Sequence, residues 1–317
     1  MIYVKLIGRL GNQLFYYSVA RSIQMKYPQY GEIVIIPNKD TGKWGGVQLL
    51  EFNCKIGGVV ESPSLSCGQW MVEKSFKAIR SLFRICNLST LKYTSKCQKL
   101  INTFGIYCME GSKSVQLEFN DKNKDIYISG VWENPYYFND IRETLLEEIK
   151  PKLELIDYNI KLMQHIRSCT SVCISIRKGD FLAKGNEIFN VCSDDYYKNA
   201  VAVMKNYIGA FDLFVFSDDI NWCKQNLNFG VPTFYENNDG NDPTWEKLRL
   251  MSSCNHFIIS NSSFSWWAQY LGTAKNKITI APTPWRRNEE CDCLYDDSFI
   301  LLDGKTGQIM SKPYEII

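Results

Sequence analysis

The residues best suited to binding an anion follow a short apolar run near the middle of the chain. Residues 172–176 read Val-Cys-Ile-Ser-Ile, the pattern of a strand covered on both faces, and Arg177, Lys178, Gly179 and Asp180 come directly after them. The planar guanidinium of arginine suits phosphate better than the point charge of lysine does, so an anionic ligand is expected here. Gly179 would permit a sharp turn or the close approach of backbone to a ligand. In the alternative interpretation, Arg177 and Asp180 only pair with each other on a loop.

A second strand of the same half ends in two carboxylates. The apolar run Phe211–Ser217 is followed by Asp218 and Asp219, and a helical pattern begins at Ile220. The two aspartates could cap that helix, which is the common case, or accept hydrogen bonds from a base or a ribose. Both interpretations stay open from the sequence.

A third strand ends in small polar residues. The run that starts at His256 leads into Asn261, Ser262 and Ser263, and an aromatic helix follows from Phe264. Backbone N–H groups at a helix start, together with small hydroxyl side chains, favour negative charge. The three polar strand ends therefore predict a nucleotide site in a doubly wound sheet.

A glycine loop near the N-terminus offers another anion site. It joins a strand over residues 2–7 to a helical pattern over residues 13–27, and it lacks the G-x-G-x-x-G spacing of a nicotinamide-binding loop. Its backbone N–H groups and the Asn12 amide would meet a ligand at the helix N-terminus. In the simpler alternative, the glycines form the turn and Asn12 caps the helix. The candidate residues of this loop are Gly8, Arg9, Gly11 and Asn12.

The charge balance and the hydropathy argue against several classes of partner. The 317 residues carry 36 basic and 34 acidic side chains, so the net charge of +2 gives no reason to expect a nucleic acid or an anionic membrane. No apolar run reaches the ~18 residues of a membrane span, and Met1 leads directly into a strand rather than a leader pattern. We therefore expect a cytoplasmic protein without an integral membrane segment.

Cysteine and histidine usage narrows the chemistry further. The 12 cysteines form no C-x-x-C pair, and Cys173, Cys223 and Cys254 stand in apolar contexts, which indicates reduced core residues rather than disulfides. Only His165 and His256 are present, so a histidine-rich metal site is excluded and both are expected to be structural.

Strand and helix patterns alternate through both halves, which favours two α/β domains. The segment Pro151–Asp157, between two amphipathic helices, is the candidate boundary, and one large domain is the alternative.

Three segments outside the motifs have less regular patterns. Residues 37–68 lack a clear hydrophobic periodicity and are predicted to be a surface loop. Residues 71–99 alternate basic and apolar side chains, which is typical of helices with a solvated cationic face and also fits a groove for an acceptor. Residues 130–138 form an aromatic loop that could stack on sugar rings or fill a gap between domains.

Four motifs, in the right order, resemble those of the bacterial α-1,2-fucosyltransferases of glycosyltransferase family 11. They are Gly8–Phe15, Ile176–Phe181, Phe216–Asp219 and Asn261–Trp267. The second motif departs from the family pattern His-x-Arg-Arg-Gly-Asp at two positions. Ser175 replaces the histidine, to which a nucleoside contact is usually credited, and Lys178 replaces the second arginine and keeps its charge.

The resemblance implies a GT-B-like fold of two Rossmann-like domains facing across a cleft. It implies an acceptor-side domain over residues 1–155, a GDP-sugar-binding domain over residues 156–300 and a C-terminal tail over residues 301–317. The implied reaction is inverting transfer of L-fucose from GDP-fucose to the 2-hydroxyl of a terminal β-galactose, in an oligosaccharide or a lipid-linked glycan. No metal cofactor is expected, in keeping with a sequence that has no D-x-D motif. The expected location is the cytoplasm, with peripheral association at the inner face of the membrane as an alternative.

The resemblance also suggests roles for single residues. Arg177 would hold the diphosphate, Ser262 and Ser263 would support it, and Asp218 with Asp219 would lie near the guanosine. The candidate catalytic residues are Arg177, Asp180 and Asn12. The candidate donor-binding residues are Gly8, Arg9, Gly11, Asn12, Arg177, Asp218, Asp219, Asn261, Ser262, Ser263 and Phe264.

A general base for the acceptor hydroxyl is less obvious from the sequence. Asp180 is the nearest candidate and Glu187 a poorer one. Because aspartate titrates near ~4, it would help only late in a loose transition state, and orienting Arg177 is an equally good role for it. Transfer from another GDP-sugar would use the same phosphate-binding residues, whereas a non-catalytic sugar-binding protein would have no need of Arg177.

Overall fold

The chain forms two compact units, each built on its own sheet, in a computed structural model of the protein. The structure describes residues 1–39, 41–62, 71, 74–75, 101–109, 117, 119, 123–179, 187–287, 292–311 and 313. One unit is Met1–Lys150 and the other is Pro151–Ile317. Both sheets are largely parallel, so the predicted α/β class is confirmed.

The first unit contains a five-stranded parallel sheet in the order β3-β2-β1-β5-β4. Its described strands and helices are β1 (Ile2–Lys5), α1 (Leu10–Lys26), β2 (Ile33–Ile36), β3 (Gly58–Val59), β4 (Ile106–Met109), β5 (Ile126–Gly130) and α2 (Arg142–Glu148). Apolar, mostly β-branched residues fill β1, β2 and β5, as expected for strands covered on both faces. The order reverses between β1 and β5, which places the loops after these two strands side by side.

The second unit contains a seven-stranded sheet in the order β12-β11-β10-β9-β6-β7-β8. Its strands are β6 (Ser171–Ile176), β7 (Asp212–Ser217), β8 (Thr233–Tyr235), β9 (His256–Ile258), β10 (Thr279–Thr283), β11 (Ile300–Asp303) and β12 (Ile309–Ser311). Its described α-helices are α3 (Ile160–Ser168), α4 (Asp194–Ile208), α5 (Ile220–Asn226), α6 (Thr244–Ser252) and α7 (Ser263–Leu271). All neighbouring strands are parallel except β11 and β12. With β6 taken as strand 1, the sheet reads 3-2-1-4-5-6 from β8 to β11, which is the Rossmann order, and β12 is an added antiparallel edge strand. The order reverses between β6 and β9.

The alternation of side chains along β6 decides which helix covers each face. Val172, Ile174 and Ile176 belong to one core cluster with the apolar face of α4. Ser175 points to the opposite face, where it meets α7. The N-terminus of α4 is fixed by Ser193, whose hydroxyl accepts a hydrogen bond from the Tyr196 N–H at 3.1 Å.

Three expectations from the sequence need correction. Helix α1 begins at Leu10, three residues before the predicted start, so six of the eight residues of the motif Gly8–Phe15 are helical. The segment predicted as a C-terminal tail from residue 301 supplies most of β11 and all of β12, because a short strand can form wherever a sheet edge offers hydrogen-bonding partners. The predicted surface loop over residues 37–68 includes edge strand β3.

Several predictions fall on residues that the structure does not describe. Asp180 lies outside the described residues, and so does nearly all of the basic segment 71–99. Within the described part of the chain, no helix combines the length and the hydrophobicity that crossing a bilayer requires. Cys173, Cys223 and Cys254 are buried free thiols, as predicted.

Candidate functional site

The loop after β6 is held by a carboxylate from the end of β7. The Asp218 side chain accepts a hydrogen bond from the Lys178 backbone N–H at 2.8 Å, and its other oxygen lies 3.4 Å from Nε of Arg177. The Arg177 side chain is only 19% exposed, so this nearby charge is weakly screened by solvent. Asp218 therefore positions both the loop backbone and the guanidinium.

Gly179 is explained by the same aspartate. A Cβ at Gly179 would lie 2.9 Å from Oδ2 of Asp218 and 3.2 Å from its Cγ, which is too close for both atoms to stay in place. The sequence predicts that Gly179 permits a sharp turn or the close approach of a ligand. In the structure, the space beside Gly179 is occupied by the Asp218 carboxylate.

Lys178, which replaces an arginine of the family pattern, uses its side chain for contacts within the second unit. Its ammonium group bonds to the carboxylate of Asp194 in the first turn of α4 and lies 4.3 Å from the centre of the Trp222 ring in α5. The side chain is 11% exposed. The charge that is kept at this position therefore ties the loop to two helices.

Two adjacent tyrosines of α4 brace both strand ends at the point where the sheet order reverses. The Tyr197 hydroxyl accepts a hydrogen bond from the Arg177 backbone N–H at 3.3 Å, and the Tyr196 hydroxyl donates to the carbonyl of Ile259 at 2.6 Å. Burial raises the pKa of both phenols well above the ordinary value, so both stay neutral. From the sequence alone, both tyrosines fit the apolar face of a helix, and their hydroxyl contacts are not evident.

Asp219 has the simpler of its two predicted roles. Its carboxylate accepts a hydrogen bond from the Trp222 N–H at 2.9 Å and caps α5. The two adjacent aspartates thus differ in task, since Asp218 reaches across to the neighbouring strand end and Asp219 closes its own helix.

The Asn261 side chain is used to connect three loops. Its Nδ2 donates to the carbonyls of Phe189 at 2.9 Å and Trp285 at 3.0 Å, and its Oδ1 accepts from the Cys192 thiol at 3.6 Å. Because the side chain is also buried, Asn261 shapes the surroundings of the strand end through these contacts.

The helix that follows β9 begins with small, uncharged residues. Ser262 is the N-cap residue of α7, and Ser263 with the half-buried Phe264 forms the start of its first turn. The first N–H groups of a helix have no intrahelical acceptor and carry the positive end of the helix dipole. This helix start lies beside the Arg177 loop because β6 and β9 are neighbours in the sheet.

A chain of buried hydroxyls crosses the same point of the sheet. Ser175 Oγ lies 2.6 Å from Ser265 Oγ in α7, and Ser265 Oγ lies 3.0 Å from Ser260 Oγ. All three side chains are buried. Ser175, at the position of the family's histidine, therefore bonds to α7 inside the unit.

In the first unit, Gly8 forms the turn between β1 and α1 with a φ of +84°, a conformation that favours glycine. A Cβ at this position would lie 2.8 Å from Nδ2 of Asn12, so the Asn12 amide covers the glycine. The N-cap residue of α1 is Arg9, while Gly11 and Asn12 lie in its first turn. The interpretation of Asn12 as the helix cap is therefore wrong.

A buried glutamine, Gln13, holds this glycine loop. Gln13 Nε2 donates to the carbonyls of Gly8 at 3.2 Å and Gly46 at 3.0 Å. Its Oε1 accepts from the Gln48 N–H at 2.9 Å, and Gln48 Oε1 in turn accepts from the Leu10 N–H at 2.8 Å. From the sequence, Gln13 is only a polar residue at the start of a helical pattern, and its burial is evident only in the structure.

The aromatic loop after β5 divides into buried and exposed rings. Trp132 is buried and donates its indole N–H to the carbonyl of Ser129 at 2.8 Å, so it is a packing residue. Tyr136 is 63% exposed, and Asn134 fixes its backbone by accepting its N–H at 2.9 Å. Of the rings in this loop, Tyr136 is the one most available for stacking on a ligand.

The end of β7 rests on a buried ion pair. Glu236 accepts the Ser217 N–H at 2.8 Å, and its second oxygen lies 3.1 Å from Nζ of Lys247. Burial raises the pKa of Glu236, although the lysine and the Ser217 N–H oppose this effect. The pair fixes the backbone immediately before Asp218.

Comparison with known proteins assigns the chain to a family. Residues 74–299 match the model of the family described as glycosyl transferase family 11. An α-1,2-colitosyltransferase of Escherichia coli is 29% identical over 307 residues, covering 92% of this chain and 94% of that protein. A galactoside α-(1,2)-fucosyltransferase 1 of Homo sapiens is 29% identical over 108 residues, which is 33% of this chain and 30% of the human protein.

A solved structure supports the fold. Fucosyltransferase NodZ from Bradyrhizobium superposes with a TM-score of 0.53 at 12% identity, covering 84% of this chain and 92% of that one. At this identity the likeness concerns the fold alone, which is α/β and GT-B-like, with two Rossmann-like units. Since the family match spans most of the chain, and α-1,2 transferases are among its relatives, the protein belongs to glycosyltransferase family 11.

Proposed function

We propose that the protein transfers L-fucose from GDP-fucose to the 2-hydroxyl of a terminal β-galactose, with inversion at the anomeric carbon and without a metal ion. The acceptor is an oligosaccharide or a lipid-linked glycan. Membership of family 11 supports sugar transfer, and relatives named for α-1,2 transfer support the linkage.

The proposal that the second unit binds the sugar donor rests on one observation. Arg177 and the start of α7 lie at the carboxyl ends of β6 and β9, the adjacent strands between which the order of the second sheet reverses. Open α/β sheets bind their ligands at such a point. An arginine and a helix N-terminus side by side suit a diphosphate, because both offer hydrogen-bond donors and positive charge.

These groups would act on the charge that develops during transfer. The bond between C1 of fucose and the β-phosphate oxygen breaks, its electron pair stays on the diphosphate, and the acceptor oxygen bonds to C1 from the opposite face. Negative charge therefore grows on GDP, where Arg177 and the α7 N–H groups would already face it. Asp218 and Tyr197 would hold Arg177 in place, so that little reorganisation accompanies the reaction.

The acceptor oxygen must lose a proton in the same reaction. Asp180 is the candidate that follows Arg177 in sequence, and it would take this proton late in the transition state or orient the arginine. Asn12, which covers Gly8, is the candidate in the first unit for contacting the phosphate or the fucose. The exposed Tyr136 is the candidate for stacking on the galactose ring.

A second donor has specific support. The relative that aligns over nearly the whole chain is named an α-1,2-colitosyltransferase, so GDP-colitose is the alternative donor. Colitose is fucose without its 3-hydroxyl. A pocket built to bond that hydroxyl rejects the deoxy sugar by on the order of 10⁴-fold, so the two donors should be clearly separated in an assay.

The test is an assay of the purified protein with GDP-fucose, GDP-colitose and GDP-mannose in turn. Each donor is offered with a panel of β-galactosides and with the matching β-glucosides, and the product linkage is determined by NMR. We expect an α-1,2-fucosyl galactoside as the main product, and Tyr136→Ala should raise the KM for the galactoside without changing that for the donor. Preferential transfer from GDP-colitose would replace the donor assignment, and transfer to another hydroxyl would refute the linkage.

A further inference from the structure

Three potential metal ligands lie together at the end of β7 opposite Asp218. His165 stands in the last turn of α3, Cys169 follows that helix, and Asp212 opens β7. A ring nitrogen of His165, the Cys169 sulfur and a carboxylate oxygen of Asp212 all lie within 4.8 Å of one another. Among the described residues this is the one such group of three.

The three atoms lie near enough to one another for one zinc ion to reach all of them after small side-chain movements. Zinc bonds to nitrogen and carboxylate oxygen at about 2.0–2.2 Å and to sulfur at about 2.3 Å, so its ligand atoms lie roughly 3.2–3.8 Å apart. Nε2 of His165 is 2.7 Å from Oδ2 of Asp212, which is a hydrogen-bond distance with one proton between the two atoms. A metal ion could replace that proton if the two groups separate by about half an ångström.

The backbone and ring contacts hold the three side chains in this arrangement without an ion. The His165 ring makes edge contacts with Phe214 and Phe234, at centroid distances of 5.2 and 4.2 Å. The Asp212 N–H donates to the carbonyl of Thr170 at 3.0 Å, which joins the start of β7 to the turn after α3. His165 and Asp212 are 34% and 24% exposed, which leaves access for an ion and for a water ligand.

We propose that His165, Cys169 and Asp212 bind one Zn²⁺ ion, with water as the fourth ligand. Imidazole and thiolate favour zinc over calcium or magnesium, which prefer oxygen ligands. The ion would fasten the end of α3 to β7. Because β7 is six residues long, the site lies about 17 Å from the carboxyl end of the strand, so the ion is structural and takes no part in sugar transfer.

The test measures zinc binding directly on the full chain. The protein is stripped with a chelator, dialysed, and titrated with Zn²⁺ against a chromophoric zinc indicator. We expect one tight site that is lost, or weakened at least tenfold, in Cys169→Ser, His165→Gln and Asp212→Asn. Cys54→Ser, which changes a half-buried cysteine of the first unit, is the matched control and should bind as the parent does.

Cobalt gives an independent readout of the sulfur ligand. Co²⁺ added to the stripped parent should produce a thiolate charge-transfer band in the near ultraviolet, and this band should be absent in Cys169→Ser and present in Cys54→Ser. A stripped parent protein that binds no zinc tightly refutes the proposal. An equal number of tight sites in the parent and in Cys169→Ser also refutes it, since any zinc would then be bound elsewhere.

Discussion

Asp218, Lys178 and Asn261 use their polar atoms on the protein itself. Arg177 is the charged residue that we propose for contact with the donor. Asp218 approaches the Nε of the guanidinium and also bonds to the backbone that follows it. Such a brace fixes the position of an arginine while its charge is retained. Arg177 is therefore the group that we expect to contact the ligand, and Asp218 is the group that orients it.

Arg177→Ala should lower kcat by at least about 10²–10³-fold, the usual cost of removing one preorganised donor to developing charge. Arg177→Lys keeps the charge but loses the bidentate pairing, so it should remain severely impaired. Steady-state kinetics with GDP-fucose and a galactoside measure both effects. Lys205→Ala, an exposed change in α4, serves as the control, and circular dichroism should show that all three variants are folded. A folded Arg177→Ala enzyme with near-parental turnover would remove this residue from the site.

Asn12→Ala tests whether the first unit contributes to the reaction. If the Asn12 amide contacts the donor, the variant should lose kcat far more than it loses affinity for GDP. The measurements are turnover and the Kd of GDP by calorimetry. The competing role is to cover Gly8. Unchanged turnover with a lower melting temperature would indicate that this structural role is the only one.

At the scale of elements, α4 sets the geometry of the strand ends. Its two buried tyrosines reach the end of β6 and the segment after β9, so a single helix fixes both sides of the point where the sheet order reverses. Ser193 fixes the start of this helix, and Asp194 in its first turn bonds to Lys178. A shift of α4 would therefore be transmitted to the candidate site.

Tyr197→Phe should lower kcat by about tenfold with a small change in the KM for the donor. The variant removes the phenolic acceptor of the partly buried Arg177 N–H, and a hydrogen bond of this kind contributes about 0.5–1.5 kcal/mol, so the loop should loosen. Tyr207→Phe, in the last turn of the same helix, is the matched control. If both variants lose stability equally and keep full turnover, Tyr197 is a packing residue only.

Some of this site could be predicted from residue types, and some of it depends on three-dimensional contacts. The end of β6 could be located because a β-branched run stops at charged residues, and parallel strands bring their carboxyl ends together. The tyrosine hydroxyls could not be identified, since Tyr196 and Tyr197 satisfy an apolar helix face whether or not their hydroxyls bond to a neighbouring strand. The same holds for Asp218, because a carboxylate at a strand end gives no indication of whether it meets a ligand or the adjacent loop. Strand β12 was missed for a related reason, since its pairing depends on β11 rather than on its own sequence.

At the scale of the whole molecule, the proposed chemistry predicts turnover that does not depend on a divalent ion. The sequence has no D-x-D motif, and in the proposed mechanism arginine and helix dipoles balance the charge of the diphosphate. Rates in excess EDTA should equal rates in Mg²⁺, measured well below the melting temperature so that loss of a structural zinc ion does not interfere. Activity that disappears in EDTA and returns only with Mg²⁺ or Mn²⁺ would contradict the mechanism.

The stability of the protein should fall when the pH drops below about 6.5, the ordinary histidine pKa. His256 accepts the Ile278 N–H through Nδ1 at 3.2 Å, and burial lowers its pKa. Below about pH 6.5 the unfolded chain therefore binds a proton at His256 more readily than the folded protein does. The contribution of His256 to the free energy of unfolding is complete above its pKa in the unfolded chain, and it is lost as the pH falls through its lower pKa in the folded protein. His256→Asn keeps an acceptor and removes the titration. Urea unfolding at pH 7.5 and 5.5 should show a smaller acid loss in this variant, and equal losses would contradict the assignment.

The strand order of the second sheet also bears on how the protein is made. The central strand β6 has β7 and β9 as neighbours, and β9 begins only at residue 256. A chain still on the ribosome that has emerged only as far as β8 can form β6, β7 and β8, but one edge of β6 stays open. Open, apolar strand edges pair with other chains, so a product terminated before residue 256 should aggregate, and the edge proposed to bind the donor should form only late in synthesis.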